Sequence, residues 1–359
     1  MSKTSLLIPT LNSSNYLKEF LINLKKNNNK IDKIIFIDGG SKDNTKLQIK
    51  KSKNKKIIFI TKKNFNISRS LDYGLNQIRT KFTSRIDSDD LICNDRISKQ
   101  IKFLEDHKKY VFVGSNYKLI DQNSKKIYNS NLATSYDEII STFLVNGDIE
   151  IAHPCVTFKT NYVRSIKGYG NYNFSEDYNL WIKILFNRKK FCNLKENLTN
   201  LRHHDQQKSQ VNNVASIKFM KNSYKNTINS NLDLRITSNF VDLLMVKYLR
   251  KPHTTNEINN FYKKKIIIIK KIKNHLNIKY NLDKIFYNEI NNYNLNLNYN
   301  FFKKYYLLKL IFLNNLFYYK KINRTQSISF LIIFYSKFIF LTFKFFLKKI
   351  IKLFLKQTN

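Results

Sequence analysis

Three carboxylates, Asp87, Asp89 and Asp90, stand within four residues directly after the apolar run Phe82–Ile86. Carboxylates this close repel one another unless a cation or ligand compensates. Hard oxygen ligands of this kind suit Mg²⁺ or Mn²⁺, which can in turn neutralise a diphosphate. The plainer alternative is a solvated acidic turn ahead of a helix. A second acidic pair, Glu176 and Asp177, opens the amphipathic run Tyr178–Leu185 behind Ser175. With Ser175 as N-cap, both acids would complement a helix dipole. The chemical alternative is a general base that deprotonates an acceptor hydroxyl. Downstream, Arg202, His203 and His204 precede Asp205. Beside an acidic site, Arg and His can hold a diphosphate.

These residues need elements to place them. Ser5–Ile8, Ile34–Ile37 and Ile57–Ile60 are short apolar runs suited to buried strands, and Tyr16–Lys25 and Asp43–Lys50 fit the helices between them. That β-α-β-α-β order predicts a parallel sheet with helical crossovers. Phe82–Ile86 and Tyr110–Val113, the latter followed by Gly114, are further strand candidates. In open α/β sheets, ligands bind beyond the carboxyl ends of the strands. Pro9, Thr10, Leu11 and Asn12 follow the first strand, and Asp38-Gly39-Gly40-Ser41 follows the second. Asp38 sits where a carboxylate could accept from a base or ribose. Asp43 is placed in the first turn of the next helix, as a capping acid.

Composition narrows the partners. Lys and Arg number 64 against 25 acids, a formal charge of +39, so the surface should attract polyanions. The excess is mainly Lys, alongside many Asn, Ile, Phe and Tyr, the residues that A/T-rich codons encode. Scarce Arg argues against guanine readout and against nucleic acid as a partner. Cys93, Cys155 and Cys192 form no zinc or disulfide pattern. The first residues carry no signal-peptide pattern, since Leu6–Ile8 is cut short by Pro9. A cytoplasmic catalytic part is therefore expected.

Read in order, the motifs resemble glycosyltransferase family 2, from Ser5 to about Ser209. They are IPT at the first strand end, IDGGSKDNT, SLDYGL, SRIDSDD, the Arg96–Gln100 spacing, VGS at Val113–Ser115, HP at His153, SEDYNLWIKIL and LRHHDQQKS. The resemblance implies an α/β fold of the GT-A type: a Rossmann-like nucleotide-binding, mostly parallel sheet flanked by helices. It implies a single inverting displacement at an anomeric carbon, with a nucleotide-sugar donor, UDP-linked on family grounds, and a divalent cation, Mn²⁺ or Mg²⁺. It implies nucleotide contacts from Pro9, Thr10, Asp38, Arg69 and Asp87, metal contacts from Asp87 and Asp89, and catalysis by Asp177. Glu176, Trp181, Arg202 and His204 fall on the acceptor and diphosphate side. Two positions depart from the family. Asn66 stands where relatives often have Gly, with Asn the residue that best tolerates positive φ. Asn94 stands where many have Pro, which touches only a helix start.

Beyond the catalytic domain, placed at residues 1–215, a Lys- and Asn-rich helical region is expected over 216–325 and a basic amphipathic helix over 326–359. After Glu289 no acid remains, against twelve Lys or Arg. Around the apolar run Ser327–Lys356, the longest uncharged stretch, Thr325–Ser336, is short of the roughly 20 residues that a spanning helix needs. At 100° per residue, Lys337, Lys344, Lys348, Lys349, Lys352 and Lys356 fall within an arc of roughly 140°. That is the pattern of a helix lying in an anionic membrane surface. A helix packed on the domain and a tilted span with snorkelling lysines are the alternatives. The combined expectation is an enzyme on the inner face of a bacterial membrane, adding sugar to a glycan or lipid-linked acceptor. Rivals are a sugar-nucleotide nucleotidyltransferase, which would show a Gly-rich phosphate loop near its first strand, and a basic nucleic-acid-binding protein, whose binding would be salt-sensitive and metal-independent.

Overall fold

Apolar runs covered on both faces make the centre of the molecule. A computed structural model describes residues 4–27, 31–93, 95–204, 213–245 and 255–278. In it β1 (Thr4–Thr10) is buried along its whole length. It pairs in parallel with β2 (Lys33–Asp38) on one side and β4 (Phe82–Arg85) on the other, and β3 (Ile57–Thr61) adds to β2. Strands buried on both faces read as continuous apolar runs, as β1 and β2 do, whereas β3 is apolar but only partly buried and β4 is buried but carries Thr83, Ser84 and Arg85. Beyond β4 the directions mix. β8 (Thr157–Lys159) runs antiparallel to β4 and to β6 (Tyr110–Ile120), β9 (Lys190–Arg202) runs parallel to β6, and β5 (Leu91–Ile92) is antiparallel to β9. The order is β3-β2-β1-β4-β8-β6-β9-β5, with β7 (Lys126–Asn129) hairpinned on β6. The expected α/β fold is the one observed.

Helices cover the sheet. α1 (Ser14–Asn27) turns Leu17, Phe20 and Leu24 inward at helical spacing. They meet Phe36 and Ile49, the latter from α2 (Thr45–Lys51). α3 (Ile67–Gln77) lies so close to the sheet that a Cβ on Gly74 would strike Leu7 Cδ1 and come within 2.9 Å of Ile37 Cγ1. α4 (Arg96–Asp106) explains its own spacing: Arg96 Nε donates to Gln100 Oε1 at 3.2 Å, and Arg96 Nη2 donates to Arg85 O at 2.6 Å. The pair thus braces the end of β4 from beneath. α5 (Tyr136–Asn146), α6 (Thr160–Ser165) and α7 (Glu176–Phe186) complete the α/β part.

Among the described residues three further helices follow: α8 (Asn213–Leu232), α9 (Ser238–Leu244) and α10 (Thr255–Leu276). From residue 216 on, these described helices fall within the region expected to be helical over 216–325, and they pack onto the α/β part within one compact unit, Met1–Asn291. Tyr224 of α8 meets Phe143 of α5, and α10 docks through its basic side chains. Lys265 Nζ donates to Val145 O at 2.7 Å, Lys271 Nζ to Leu232 O at 3.3 Å, and His275 Nε2 lies 3.0 Å from Phe186 O. These carbonyls sit at the C-terminal ends of α5, α8 and α7, where cations are favoured. The second unit, Asn292–Asn359, in which a basic helix is expected over 326–359, lies outside the described residues.

Several local expectations are corrected. The strand at Tyr110–Val113 runs on through Gly114 to Ile120; Gly114 is a close approach, since a Cβ there would strike Asn193 Oδ1 of β9. Asp43 precedes α2 rather than lying in its first turn. Its carboxylate accepts from Thr45 N at 3.0 Å and from Ser14 N at 2.9 Å, so it joins the starts of α1 and α2 and is held down to about 2, its hydrogen bonds outweighing burial. Asn66 has φ −72° and caps α3, its Oδ1 accepting from Arg69 N at 2.8 Å; positive φ falls instead on Asn64. Asn94 lies outside the described residues, and α4 starts after Asp95 in the left-handed region.

Candidate active site

The carboxyl ends of β1, β2 and β4 meet at one edge of the parallel sheet. Pro9 is buried in β1 and carries Thr10 to the strand end. Thr10 Oγ1, Ser13 Oγ and Ser88 Oγ form a hydroxyl triangle with sides of 2.8, 2.7 and 3.2 Å. It ties the β1 end to the acidic loop. Asp38, buried at the end of β2, accepts from Gly40 N at 3.2 Å and Ser41 N at 3.1 Å, and from Ser41 Oγ. The Gly39-Gly40 turn is thus wound around the carboxylate, with Gly40 at φ 105°. Arg69 stands exposed in the first turn of α3, its guanidinium 4.5 Å from the Phe65 ring.

The acidic loop after β4 is held from three sides. Oxygens of Asp87, Asp89 and Asp90 lie within 4.8 Å of one another, so Asp90 joins the two carboxylates expected to take a metal. Arg85, buried at the end of β4, donates twice to Asp87, at 2.8 and 2.6 Å. Asp89 Oδ2 lies 2.9 Å from His204 Nε2, and Asp90 Oδ1 accepts from Arg202 N at 2.8 Å. Burial pushes Asp87 up to about 6, Asp89 adding to the push while Arg85 pulls the other way. Asp90 is raised well above the carboxylate range by burial and by its two acidic neighbours. Crowded, partly buried like charges of this kind favour a divalent cation as their counterion, so the residues fit the group that the motif implies.

Around Asp177, Ser175 is in the left-handed region and its hydroxyl donates to Ser216 O of α8 rather than capping α7. Glu176 and Asp177 still occupy the first turn, where the helix dipole favours negative charge. Their exposures differ. Glu176 is buried with Oε1 3.7 Å from His153 Nδ1, while Asp177 is partly exposed. Burial, reinforced by Glu176, pushes the Asp177 carboxyl upward. His153 in turn lies 3.0 Å from Tyr169 Oη, and burial and Arg85 hold its imidazole neutral. Arg85 acts electrostatically on Asp87, Glu176 and Asp177 alike, so it links the acidic loop to the two acids of α7.

Three residues expected on the acceptor and diphosphate side are placed differently. Trp181 is buried, stacked on Phe112 with ring centres 4.4 Å apart, and belongs to the core. Glu176 turns inward. Arg202 is buried and committed: Nε donates to Asp89 O at 2.9 Å, Nη1 to Asp121 O and Gln122 O at 3.1 Å, and Nη2 to Glu19 Oε2 at 2.7 Å. It shapes the acidic loop instead of reaching a ligand. His204 alone of that group remains at the rim, with its ring 4.9 Å from that of Tyr16. Arg85 was missed by sequence reasoning. Its one signal is a charge inside an otherwise uncharged strand.

Residues 5–167 match the family model described as glycosyl transferase family 2. The amylovoran biosynthesis glycosyltransferase AmsE of Erwinia amylovora is 28% identical over 146 residues, 41% of this chain and 54% of its own. The UDP-Gal:alpha-D-GlcNAc-diphosphoundecaprenol beta-1,3-galactosyltransferase of Escherichia coli is 29% identical over 150 residues, 40% of this chain and 52% of its own. The matches thus span about half the length of these relatives. In fold, the chain is similar to S. aureus TarS 1-349, crystallised with UDP-GlcNAc: TM-score 0.53 at 16% identity, over 76% of this chain and 83% of that one.

Proposed function

Through residues 5–167 the chain belongs to glycosyl transferase family 2, and from that premise we propose that it is an inverting glycosyltransferase moving a sugar from a UDP-linked donor to a hydroxyl of a lipid-linked glycan. The observation that carries the reading is the pairing of a three-carboxylate cluster at a parallel strand end with a partly exposed acid, Asp177, across Arg85. Asp87 and Asp89, with Asp90 beside them, would hold a Mn²⁺ or Mg²⁺ ion, whose chemistry is to neutralise charge on the diphosphate leaving group. Thr10, Asp38 and Arg69 stand at the strand ends and helix start where a nucleotide would lie. Asp177 accepts the proton of the attacking hydroxyl, and its raised pKa makes it the better acceptor. No covalent sugar–enzyme intermediate is required.

The donor and acceptor classes lean on the E. coli relative, whose name gives UDP-Gal and a diphosphoundecaprenol-linked sugar. A lipid-linked acceptor also accords with the basic stretch after Glu289, which would hold the enzyme on the inner membrane face. Among the described residues, no helix is long and apolar enough to cross a membrane. The test is a panel of nucleotide sugars offered with Mn²⁺ and scored for release of free nucleoside diphosphate, together with UDP calorimetry with and without EDTA. Slow hydrolysis of one UDP-sugar, and UDP affinity that collapses in EDTA, are the expected results. Equal affinity in both conditions would remove the metal from the proposal, and no turnover of any donor would remove the activity.

A further inference from the structure

The loop 166–175, which delivers Glu176 and Asp177, is bound along one face of α3. Asp72 Oδ1 accepts from Tyr169 N at 2.7 Å and Asp72 Oδ2 from Gly170 N at 2.9 Å. One turn earlier, Ser68 Oγ donates to Gly170 O and lies 3.3 Å from Tyr172 N. At the helix start, Asn66 Nδ2 donates to Asn173 Oδ1 at 2.8 Å. Positions 68 and 72 are helical neighbours at i and i+4, so they present one continuous edge to the loop. α7 grips the same segment from its other side: Asn179 Nδ2 donates to Tyr169 O and Lys183 Nζ to Gly168 O, both at 3.2 Å.

The loop would not hold this path by its own preferences. Lys167, Gly168, Gly170 and Ser175 all have positive φ, at 62°, 54°, 84° and 52°. Two of these four are not glycine, and left-handed backbone at such residues persists only where the surroundings impose it. Gly168 is also a close approach, because a Cβ there would strike Asp72 Oδ1. α3 is the stiffer partner, seated on β1 and β2 through Gly74. Its N-terminal approach borders the donor side, where a Cβ on Gly39 would lie 3.5 Å from Phe65 O, and its first turn carries Arg69. One element thus touches both the nucleotide end of the sheet and the loop that carries the base.

We propose that Asp72 is a positioning residue for Asp177, an inference that rests on the glycosyltransferase reading. Its carboxylate registers the loop 168–175 against α3 and thereby sets the reach of the base toward the donor. A carboxylate suits the task because two successive N–H groups need two acceptors. Asn offers one, and its amide would face the second N–H.

The test compares the full-length chain with Asp72→Asn and Ser68→Ala. It measures UDP affinity by calorimetry with Mn²⁺, kcat for transfer, and hydrogen exchange of the loop amides. Asp72→Asn should keep UDP affinity within about twofold while kcat falls on the order of 10- to 100-fold, as misplacement of a reacting group by about 1 Å does. The Tyr169 and Gly170 amides should exchange faster. Ser68→Ala, the milder change, should move kcat and loop exchange the same way by less, and it decides the matter if Asp72→Asn does not fold. A merely structural role would instead lower binding and turnover together. Normal kcat in both variants, unaltered loop exchange, or UDP affinity that falls as far as kcat would overturn the proposal. A wild-type chain that turns over no nucleotide sugar would fail the underlying reading, whereas an active wild type with a fully active Asp72→Asn fails the positioning role alone.

Discussion

Asp177 and Asp90 are carboxylates kept where their own charge is disfavoured, and both effects are measurable. Burial and Glu176 raise the Asp177 pKa, and the base must be unprotonated to work. Turnover should therefore fall as pH drops through a value above the ordinary aspartate range near 3.9. Asp177→Asn should leave UDP affinity unchanged and cut kcat about 10²- to 10⁴-fold, because it removes an acceptor used only in the chemical step. Near-normal turnover would make Asp177 a helix-terminal acid and nothing more. For Asp90 the linkage runs through stability. Its folded pKa lies above its unfolded value, so the folded state holds the proton more tightly. Stability is thus lost as pH rises from the unfolded pKa through the folded one. Asp90→Asn keeps an oxygen to accept from Arg202 N and deletes the repulsion. Melting curves in EDTA should show the variant more stable than wild type at pH 7, the difference shrinking on acidification, with weaker Mn²⁺-dependent UDP binding. A lower melting temperature at pH 7 would contradict the charge argument. The acids could be read from the sequence because they crowd after apolar runs. That Arg202 and Trp181 turn inward could not be read, because motif position does not reveal which way a side chain faces.

At the scale of elements, the decisive piece is α3, and its seat on the sheet is a single glycine. Gly74→Ala would gain up to about 1 kcal/mol in helix propensity. It would also push a methyl into Leu7 and Ile37, which costs about 1–3 kcal/mol in a packed core. We expect a net loss of about 1–2 kcal/mol by urea unfolding, with kcat reduced beyond the change in folded fraction, since α3 carries both Arg69 and the contacts to loop 166–175. A variant as stable and active as wild type would show the seat to be slack. Helix ends were the least legible elements. Asp43, Asn66 and Ser175 are all capping types in the right neighbourhoods, yet only Asn66 is an N-cap whose side chain bonds its own helix. Asp43 stands one residue before the cap and shares its carboxylate between Thr45 N and Ser14 N, and Ser175 donates to Ser216 O, brought near by tertiary contacts.

The whole molecule carries +39 charges, and the described part shows where some of them go. Lys56, Lys159, Lys183, Lys264, Lys265 and Lys271 each donate to a backbone carbonyl, so part of the excess serves to dock segments. The basic stretch at the end of the sequence is proposed to serve a membrane surface, at about 1 kcal/mol per Lys near anionic lipid. Removing residues 327–359 should abolish co-sedimentation with vesicles containing phosphatidylglycerol while leaving UDP affinity intact. Changing Lys344, Lys348, Lys352 and Lys356 to Gln should weaken sedimentation and reduce its salt dependence. A truncated chain that sediments as fully as the intact one would end the anchor proposal. What the sequence determined by itself was local or periodic: the four parallel strands, the acidic loop after β4, the acids of α7, and helices α8 to α10 from residue 216 on. Apolar runs and crowded charges are properties of neighbours along the chain. Tertiary structure alone decided that β9, polar along much of its length, lies beside β6, that Arg85 acts on both the acidic loop and Asp177, and that Asp72 grips a loop almost a hundred residues away. Those facts depend on which buried groups find partners across the fold, and a buried charge is stable only where that search succeeds.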